Sequence, residues 1–291
     1  MASANVMTSA VVQCPRARFA KDGFVVLERF LARGEPEGIR SEVDALLLTP
    51  RDPGCTRPHN TLLLLRWCDA IVNSLLDCER RVRAIREAVG ATDLRWVSGY
   101  VSIKDAPSGP LWWHQDWWSW DHPVSFRRPA PQIAVMCYLD EATRERGALR
   151  LLPGSHHRRS ALHAILPEAH ATAPEMLGAD HPALCDDPDQ VSVCVAAGDA
   201  VVIDYRLLHG THANMSDLRR DCIILNFAPS WRELPEDIRA HLISHLAQPR
   251  ADEASAAAAP AWASRLLPHF DGVRRDLRLN RYPPERFEIV D

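Results

Sequence analysis

The 291-residue sequence lacks several features that define large classes of proteins. Its longest apolar runs, such as Leu62 to Leu65, are far shorter than the roughly 18–20 residues of a membrane-spanning helix. The 34 Lys and Arg residues do not outnumber the 38 Asp and Glu residues, so no positive surplus is available for a nucleic-acid backbone. Residues 1–20 lack a basic start followed by an apolar block, which is the pattern of a secretory signal. We therefore expect a cytoplasmic protein with no nucleic-acid and no membrane partner.

Paired cysteines and lysines are also scarce. The eight cysteines form no CxxC pair and are spread along the chain, so we expect buried free thiols in a reducing cytoplasm rather than a zinc site or a disulfide framework. Lysine occurs only at Lys21 and Lys104, and this argues against a lysine-rich patch for a coenzyme A tail.

The order of sequence patterns predicts a mainly β fold with packed helices. Helical periodicity runs from Glu35 to Leu48 and in two stretches between Leu62 and Val89. Alternating, β-branched runs then follow at 96–104, 132–139, 148–152, 191–195, 200–204 and 222–227. Because no βαβ alternation is present, we expect helices against an antiparallel sandwich or jelly roll. We predict one domain, with a helical part over 1–94, a β core over about 95–230 and a C-terminal extension over 231–291.

A histidine and a carboxylate occur two residues apart in a strand-like segment. If the strand continues through His114 and Asp116, both side chains lie on one face. One imidazole and one carboxylate make up two-thirds of the facial triad that binds non-haem Fe(II). A second pair, His269 and Asp271, has no strand pattern before it and no histidine after it, so we expect it to have no function.

A strand over 200–204 runs into a turn that contains a further histidine, His209. Two histidines and one carboxylate would leave three octahedral positions open for a chelating co-substrate and dioxygen. His212 is the alternative third ligand. Taken alone, a turn histidine is more commonly bonded to the backbone.

Three motifs together resemble one enzyme family. They are His114-Gln115-Asp116, the segment from Gly147-Ala148-Leu149 through Pro153-Gly154-Ser155-His156, and His209-Gly210-Thr211 followed by Arg220. The set is similar to the phytanoyl-CoA dioxygenase family, which includes ectoine hydroxylase and bacterial natural-product tailoring enzymes. The resemblance extends from Phe19 to about Phe227. It implies a double-stranded β-helix (jelly roll, cupin-like) core and the use of Fe(II), 2-oxoglutarate and O2.

The resemblance also implies roles for individual residues. His114, Asp116 and His209 match the metal ligands, while Arg220 and Thr211 match the residues that hold the distal carboxylate of 2-oxoglutarate. Arg219 is the rival of Arg220, and a guanidinium fork suits either position. Further candidates for contact with 2-oxoglutarate lie on the two neighbouring strands, and which of them reaches it stays open: Tyr100, Ser102, Lys104 and Gln132.

The segment around the first ligands is rich in tryptophan. Strand alternation would place Trp118 and Trp120 on the face of His114 and Asp116, as substrate contacts, and Trp113 and Trp117 in the core. Family members often have an aromatic residue at the position of Trp120. The alternative is that the strand ends at Asp116 and the chain turns there.

The resemblance leads to a prediction of function. We expect an Fe(II)- and 2-oxoglutarate-dependent dioxygenase that hydroxylates a small molecule in natural-product biosynthesis. Halogenation is disfavoured because related halogenases lack the carboxylate ligand, which is present here as Asp116. A zinc-dependent hydrolase on the same ligands and a non-catalytic jelly-roll binding protein are the alternatives. The oligomeric state stays open, a homo-oligomer included.

Overall fold

Two antiparallel sheets and a layer of helices form the architecture, seen in a computed structural model that describes residues 14–48, 56–57, 60–166, 177–178, 180–249 and 259–289. The strands are β1 (Phe24–Leu27), β2 (Thr56–Arg57), β3 (Asn60–Leu65), β4 (Arg95–Lys104), β5 (Leu111–His114), β6 (Ile133–Tyr138), β7 (Leu149–Leu151), β8 (Val191–Val193), β9 (Ala200–Asp204), β10 (His209–Thr211) and β11 (Arg220–Ala228). The helices are α1 (Pro15–Asp22), α2 (Glu35–Leu47), α3 (Ala70–Leu76), α4 (Glu79–Val89), α5 (Glu236–Leu242) and α6 (Ala263–Leu266).

The larger sheet has seven strands in the order β1-β9-β6-β11-β4-β3-β2, and the smaller has four in the order β5-β10-β7-β8. All of their named strand pairs are antiparallel. The predicted mainly β, jelly-roll fold class is therefore confirmed.

Each face of the larger sheet belongs to a different core. On β11, Ile223 and Leu225 join apolar residues of α2, α3 and α4 in the first core cluster. The alternate residues Cys222 and Ile224 turn towards the smaller sheet and line a cavity there. The period-two alternation of one strand thus separates the helix layer from the cavity.

Two of the sequence-based expectations need correction. The segment Leu62 to Leu65 is strand β3 rather than the start of a helix, because its backbone pairs with β4. The strand at Leu111 ends at His114, and the backbone N–H groups of Asp116 and Trp117 instead donate to the Tyr205 carbonyl at 3.1 and 2.9 Å. Strand alternation therefore stops at His114.

The tryptophans after His114 consequently do not alternate as a strand would place them. The Trp117 indole is fully buried and its Nε1 donates to Ser125 Oγ at 2.8 Å, as expected of a core residue. Trp120 is also buried, and its ring lies 5.0 Å from the Phe287 ring, centroid to centroid. The two residues therefore pack in the same core.

Several other features bear on the sequence-based expectations. The seven cysteines among the described residues are free, and Cys55 lies outside the described residues. The expectation that the thiols are buried is right for Cys137 and Cys222 and wrong for the four exposed ones, Cys14, Cys68, Cys185 and Cys194. The Ala-rich segment 251–261 lies mostly outside them as well. Within the described part of the chain, no helix is long and apolar enough to cross a bilayer.

Removal of the Trp117 ring tests this packing. We expect Trp117→Ala to lower the free energy of unfolding by about 3–5 kcal/mol, because a large buried ring leaves a cavity and Ser125 loses its donor. Phe126→Ala, in the same segment, is the matched control, since Phe126 is 39% exposed and should cost far less. Urea denaturation measures both values, and equal losses would contradict the assignment of Trp117 to the core.

Candidate active site

Strand pairing brings the two candidate histidines together. In the smaller sheet β10 pairs with β5, and His209 lies directly opposite His114. The two imidazole rings are 4.1 Å apart, centroid to centroid. The antiparallel pairing of β10 with β5 thus brings together two histidines that are 95 residues apart in the sequence.

Backbone contacts orient both imidazole rings in the same way. His114 Nδ1 lies 2.9 Å from the Trp112 carbonyl and His209 Nδ1 lies 3.0 Å from the Leu207 carbonyl. A carbonyl only accepts, so each Nδ1 carries the proton and each Nε2 keeps its lone pair for a metal. Both Nε2 atoms face Asp116, at 3.9 Å from Oδ1 for His114 and 3.5 Å from Oδ2 for His209.

The three side chains fit a divalent iron ion. Their candidate ligand atoms all lie within 4.8 Å of one another, and no other such group of three occurs in the described ranges. Two imidazoles and one carboxylate are the donor set of a facial triad. The second His-x-Asp pair is different, since the His269 and Asp271 side chains are 83% and 91% exposed.

A cavity of about 460 Å³ opens beside these ligands, between the two sheets. Besides the three ligands, it is lined by most of the predicted site residues, namely Tyr100, Ser102, Trp118, Gln132, Thr211 and Arg220. Lys104 and Trp120 are not among its lining residues. The structure thus brings together all but two of the predicted set.

The Arg220 end of the cavity has unsatisfied polar groups. One Arg220 guanidinium nitrogen donates to the Gly147 carbonyl, and the guanidinium carbon lies 5.3 Å from the centre of the Tyr138 ring. The buried Arg220 Nε and Thr211 Oγ1 have no hydrogen-bond partner in the protein. Unpaired buried polar atoms are costly, and a carboxylate group would satisfy both. This end therefore fits the distal carboxylate of 2-oxoglutarate.

Both rival residues are engaged elsewhere. Arg219 pairs with Asp44 and with Asp221, outside the cavity. His212 Nε2 lies 2.8 Å from Ser192 Oγ, and His212 does not line the cavity. Geometry therefore favours Arg220 and His209 over these neighbours.

Lys104 lies behind the site. Its Nζ donates to the Gly109 carbonyl at 2.8 Å, and its carbon chain packs where a side chain on Gly147 would go. Burial, together with the nearby positive charges of Arg220 and Arg150, lowers the pKa of Lys104 to about 7. Of the three candidates on β4, Tyr100 and Ser102 line the cavity, whereas Lys104 does not and instead supports the loop after β4.

Trp118, rather than Trp120, reaches the cavity. Its Nε1 donates to Gln132 Oε1 at 3.0 Å, and its ring lies 4.3 Å from the His241 ring. Trp120 does not line the cavity, because the chain leaves the strand at His114. Of the two predicted substrate contacts, only Trp118 is in place to act as one.

Sequence reasoning missed part of the cavity wall. The residues it did not single out include Asn226, His241, His245 and Arg281. The four-residue spacing of His241 and His245 was no usable signal, since α5 ends at Leu242 and His245 lies beyond it. Their place in the C-terminal extension gave no indication that they approach the metal ligands.

Comparisons with known proteins identify the family of this chain. A family model described as phytanoyl-CoA dioxygenase (PhyH) matches residues 19–222. L-proline trans-4-hydroxylase of Streptomyces griseoviridis is 26% identical over 242 residues, covering 75% of this chain and 86% of that protein. The "Probable alpha-ketoglutarate-dependent hypophosphite dioxygenase" of Stutzerimonas stutzeri is 26% identical over 166 residues, 56% of this chain and 54% of that protein. The match thus spans about half the length of the second relative.

Solved structures share the fold. HygX from Streptomyces hygroscopicus, solved with nickel, 2-oxoglutarate and hygromycin B bound, has a TM-score of 0.54 at 22% identity, covering 72% of this chain and 84% of that chain. The non-heme alpha-ketoglutarate-dependent epimerase SnoN from nogalamycin biosynthesis has a TM-score of 0.53 at 21% identity, covering 73% and 81%. The residues matched by the family model, 19–222, are well over half of the 291-residue chain, which therefore belongs to the phytanoyl-CoA dioxygenase family.

Proposed function

We propose that this protein is an Fe(II)- and 2-oxoglutarate-dependent dioxygenase that hydroxylates a small molecule in natural-product biosynthesis. The observation that carries the proposal is that two imidazole Nε2 atoms face one carboxylate beside a cavity whose far wall holds Arg220 Nε and Thr211 Oγ1 without partners. A metal and a dicarboxylate would together satisfy these groups. The names of the relatives L-proline trans-4-hydroxylase and ectoine dioxygenase support a small-molecule substrate.

Each site residue has a part in this proposal. His114, Asp116 and His209 hold the metal, and Arg220 with Thr211 binds and orients the distal carboxylate of 2-oxoglutarate. When bound, iron and 2-oxoglutarate supply the chemistry that activates O2 to oxidise a substrate C–H bond, with succinate and CO2 as co-products. Ser102 and Gln132 line the same cavity, Ser102 with its Oγ bonded to Asn60 Oδ1 at 3.0 Å.

The proposal covers the rest of the chain as well. We place residues 1–291 in a single cytoplasmic oxygenase domain, with no nucleic-acid or membrane partner. A homo-oligomer is compatible with this organisation, and sedimentation velocity would establish the oligomeric state.

A spectroscopic titration separates the proposed enzyme from the two alternatives. Under anaerobic conditions, addition of Fe(II) and then 2-oxoglutarate should produce a weak visible charge-transfer band. A zinc-dependent hydrolase or a non-catalytic binding protein would show no such band. Its absence would refute the proposed function.

The metal ligands are tested by single substitutions. We expect His114→Ala, Asp116→Ala and His209→Ala each to remove most of the bound iron and to abolish succinate formation, since each deletes one of only three protein ligands. His212→Ala is the matched control, because His212 is three residues from His209 and bonds to Ser192 instead. Metal analysis should show that His212→Ala retains its bound iron. If His212→Ala lost the iron while His209→Ala kept it, His212 rather than His209 would be the third ligand.

The co-substrate site is tested at the two adjacent arginines. Arg220→Ala should raise the apparent KM for 2-oxoglutarate about 30-fold to several-thousand-fold, because loss of a buried charge partner costs about 2–5 kcal/mol. Bound iron should stay unchanged. Arg219→Ala is the control, since Arg219 pairs with Asp44 and Asp221, and its KM should stay near that of the unaltered protein. An unchanged KM in Arg220→Ala would disprove the assignment.

A further inference from the structure

A buried amide at one end of the cavity has an unused hydrogen-bond acceptor. Asn226 is 1% exposed and its Nδ2 donates to Ser98 Oγ at 2.8 Å. Its Oδ1 is buried without a hydrogen-bond partner in the protein, and both Asn226 and Ser98 line the cavity. Because buried acceptors almost always accept a hydrogen bond, we expect a molecule in the cavity to donate one to Oδ1.

Asn226 is remote from the co-substrate end of the cavity. Asn226 and Arg220 both belong to β11 and both line the cavity, six residues apart. At a rise of about 3.3 Å per residue, their backbones are roughly 20 Å apart along the strand. A carboxylate bound by Arg220 therefore leaves Asn226 for a second molecule.

Part of the cavity wall comes from the C-terminal part of the chain, and His245 approaches the strand beside Asn226 through Tyr100, two residues from Ser98. This part of the wall is formed by His241, Leu242, His245, Leu246, Leu279 and Arg281. All of these residues follow residue 222, where the match to the family model ends. The candidate metal ligands and Arg220 thus lie within the part that the family model matches, whereas these wall residues lie outside the match.

The charge of this region restricts what it can bind. Among the described residues that line the cavity, Asp116 is the only carboxylate, and it is a candidate metal ligand. Burial, with a smaller contribution from the positive charge of His241, lowers the pKa of His245 to about 4. Its Nδ1 accepts from the Ala247 N–H at 3.1 Å, so the neutral ring keeps its proton on Nε2, 2.8 Å from Tyr100 Oη. A cationic molecule would find no separate counter-charge here. The cation Arg281 is held beside Asp116, where its guanidinium donates to the Asp116 carbonyl at 3.0 Å, so it is engaged next to the candidate metal ligand.

The lining and rim of this region are largely apolar. Leu246 and Leu279 both line the cavity and are 66% and 48% exposed, so they form an apolar rim at its opening. Val97, Ile224 and Trp118 contribute further apolar surface inside. Such a surface favours a molecule with an apolar body.

We propose that the Asn226 half of the cavity is the substrate site, and that it selects an uncharged, mainly apolar molecule whose hydroxyl group donates a hydrogen bond to Asn226 Oδ1. This inference rests on the proposed function, since a dioxygenase must hold its substrate beside the metal. It adds a specificity-determining residue and a substrate class to that function.

The test compares four ligands with one shared ring system. Anaerobic protein with Fe(II) and 2-oxoglutarate is first checked for the charge-transfer band and then titrated calorimetrically. The probes are 1-naphthalenemethanol, its methyl ether, 1-naphthylmethylammonium and 1-naphthoate. We expect the alcohol to bind most tightly, and the ether, which has no donor, to bind about 3- to 10-fold more weakly.

Substitutions at Asn226 show whether this residue is responsible. Asn226→Leu should abolish the difference between alcohol and ether, and Asn226→Asp should make the ammonium probe bind more tightly than the alcohol. Asn60→Leu is the matched control, because Asn60 also lines the cavity but its Oδ1 already accepts from Ser102 Oγ. It should keep the preference for the alcohol.

Several results would overturn the inference. In the unaltered protein these are equal binding of the alcohol and the ether, tightest binding of the naphthoate, or no binding of any probe. In the variants they are a preference for the alcohol over the ether that Asn226→Leu does not change, or an alcohol that still binds more tightly than the ammonium probe in Asn226→Asp. A missing charge-transfer band would instead refute the proposed function, while the probe titrations would still report on Asn226. The two failures are therefore distinguishable.

Discussion

The antiparallel pairing of β10 with β5 is the constraint on which the site depends. This register places His209 opposite His114, and it requires a close approach of the two backbones at Gly210. A Cβ at that position would lie 2.7 Å from the Leu111 carbonyl oxygen and 3.0 Å from that of Trp112. Glycine is needed there because backbone atoms, unlike a flexible side-chain end, cannot move aside.

A buried ion pair holds the segment that leads into β10. Arg206 is fully buried, and its guanidinium donates to the Asp204 carboxylate and to the carbonyls of Ser125 and Arg127. Burial alone would raise the pKa of Asp204, but the positive charge of Arg206 and its hydrogen bonds lower it. The pair thus ties the end of β9 to the loop around residue 125. That same turn carries the Tyr205 carbonyl, which receives the backbone of Asp116.

The cavity combines two parts of the chain with different roles. The part that the family model matches carries the candidate metal ligands together with Arg220 and Thr211. The segment from α5 onwards adds His241, His245 and the apolar rim. Such a division would allow the C-terminal wall to change while the rest of the cavity stays the same, because His114, His209, Thr211 and Arg220 all lie on strands of the two sheets.

What the sequence alone determined is the chemistry of the ligand set and the type of fold. The strands from β4 onwards were readable because their alternation comes from the sequence itself, and the three motifs indicated the residues now found together. Tertiary structure decided which neighbours face the cavity. Trp118 rather than Trp120 lines the cavity because β5 ends at His114. Beyond that residue the backbone N–H groups of Asp116 and Trp117 donate to the Tyr205 carbonyl instead of to a strand. Similarly, Lys104 lies outside the cavity and Asn226 lines it. The packing of distant segments decides which face of a strand contacts solvent, ligand or core, and the local sequence does not encode that packing.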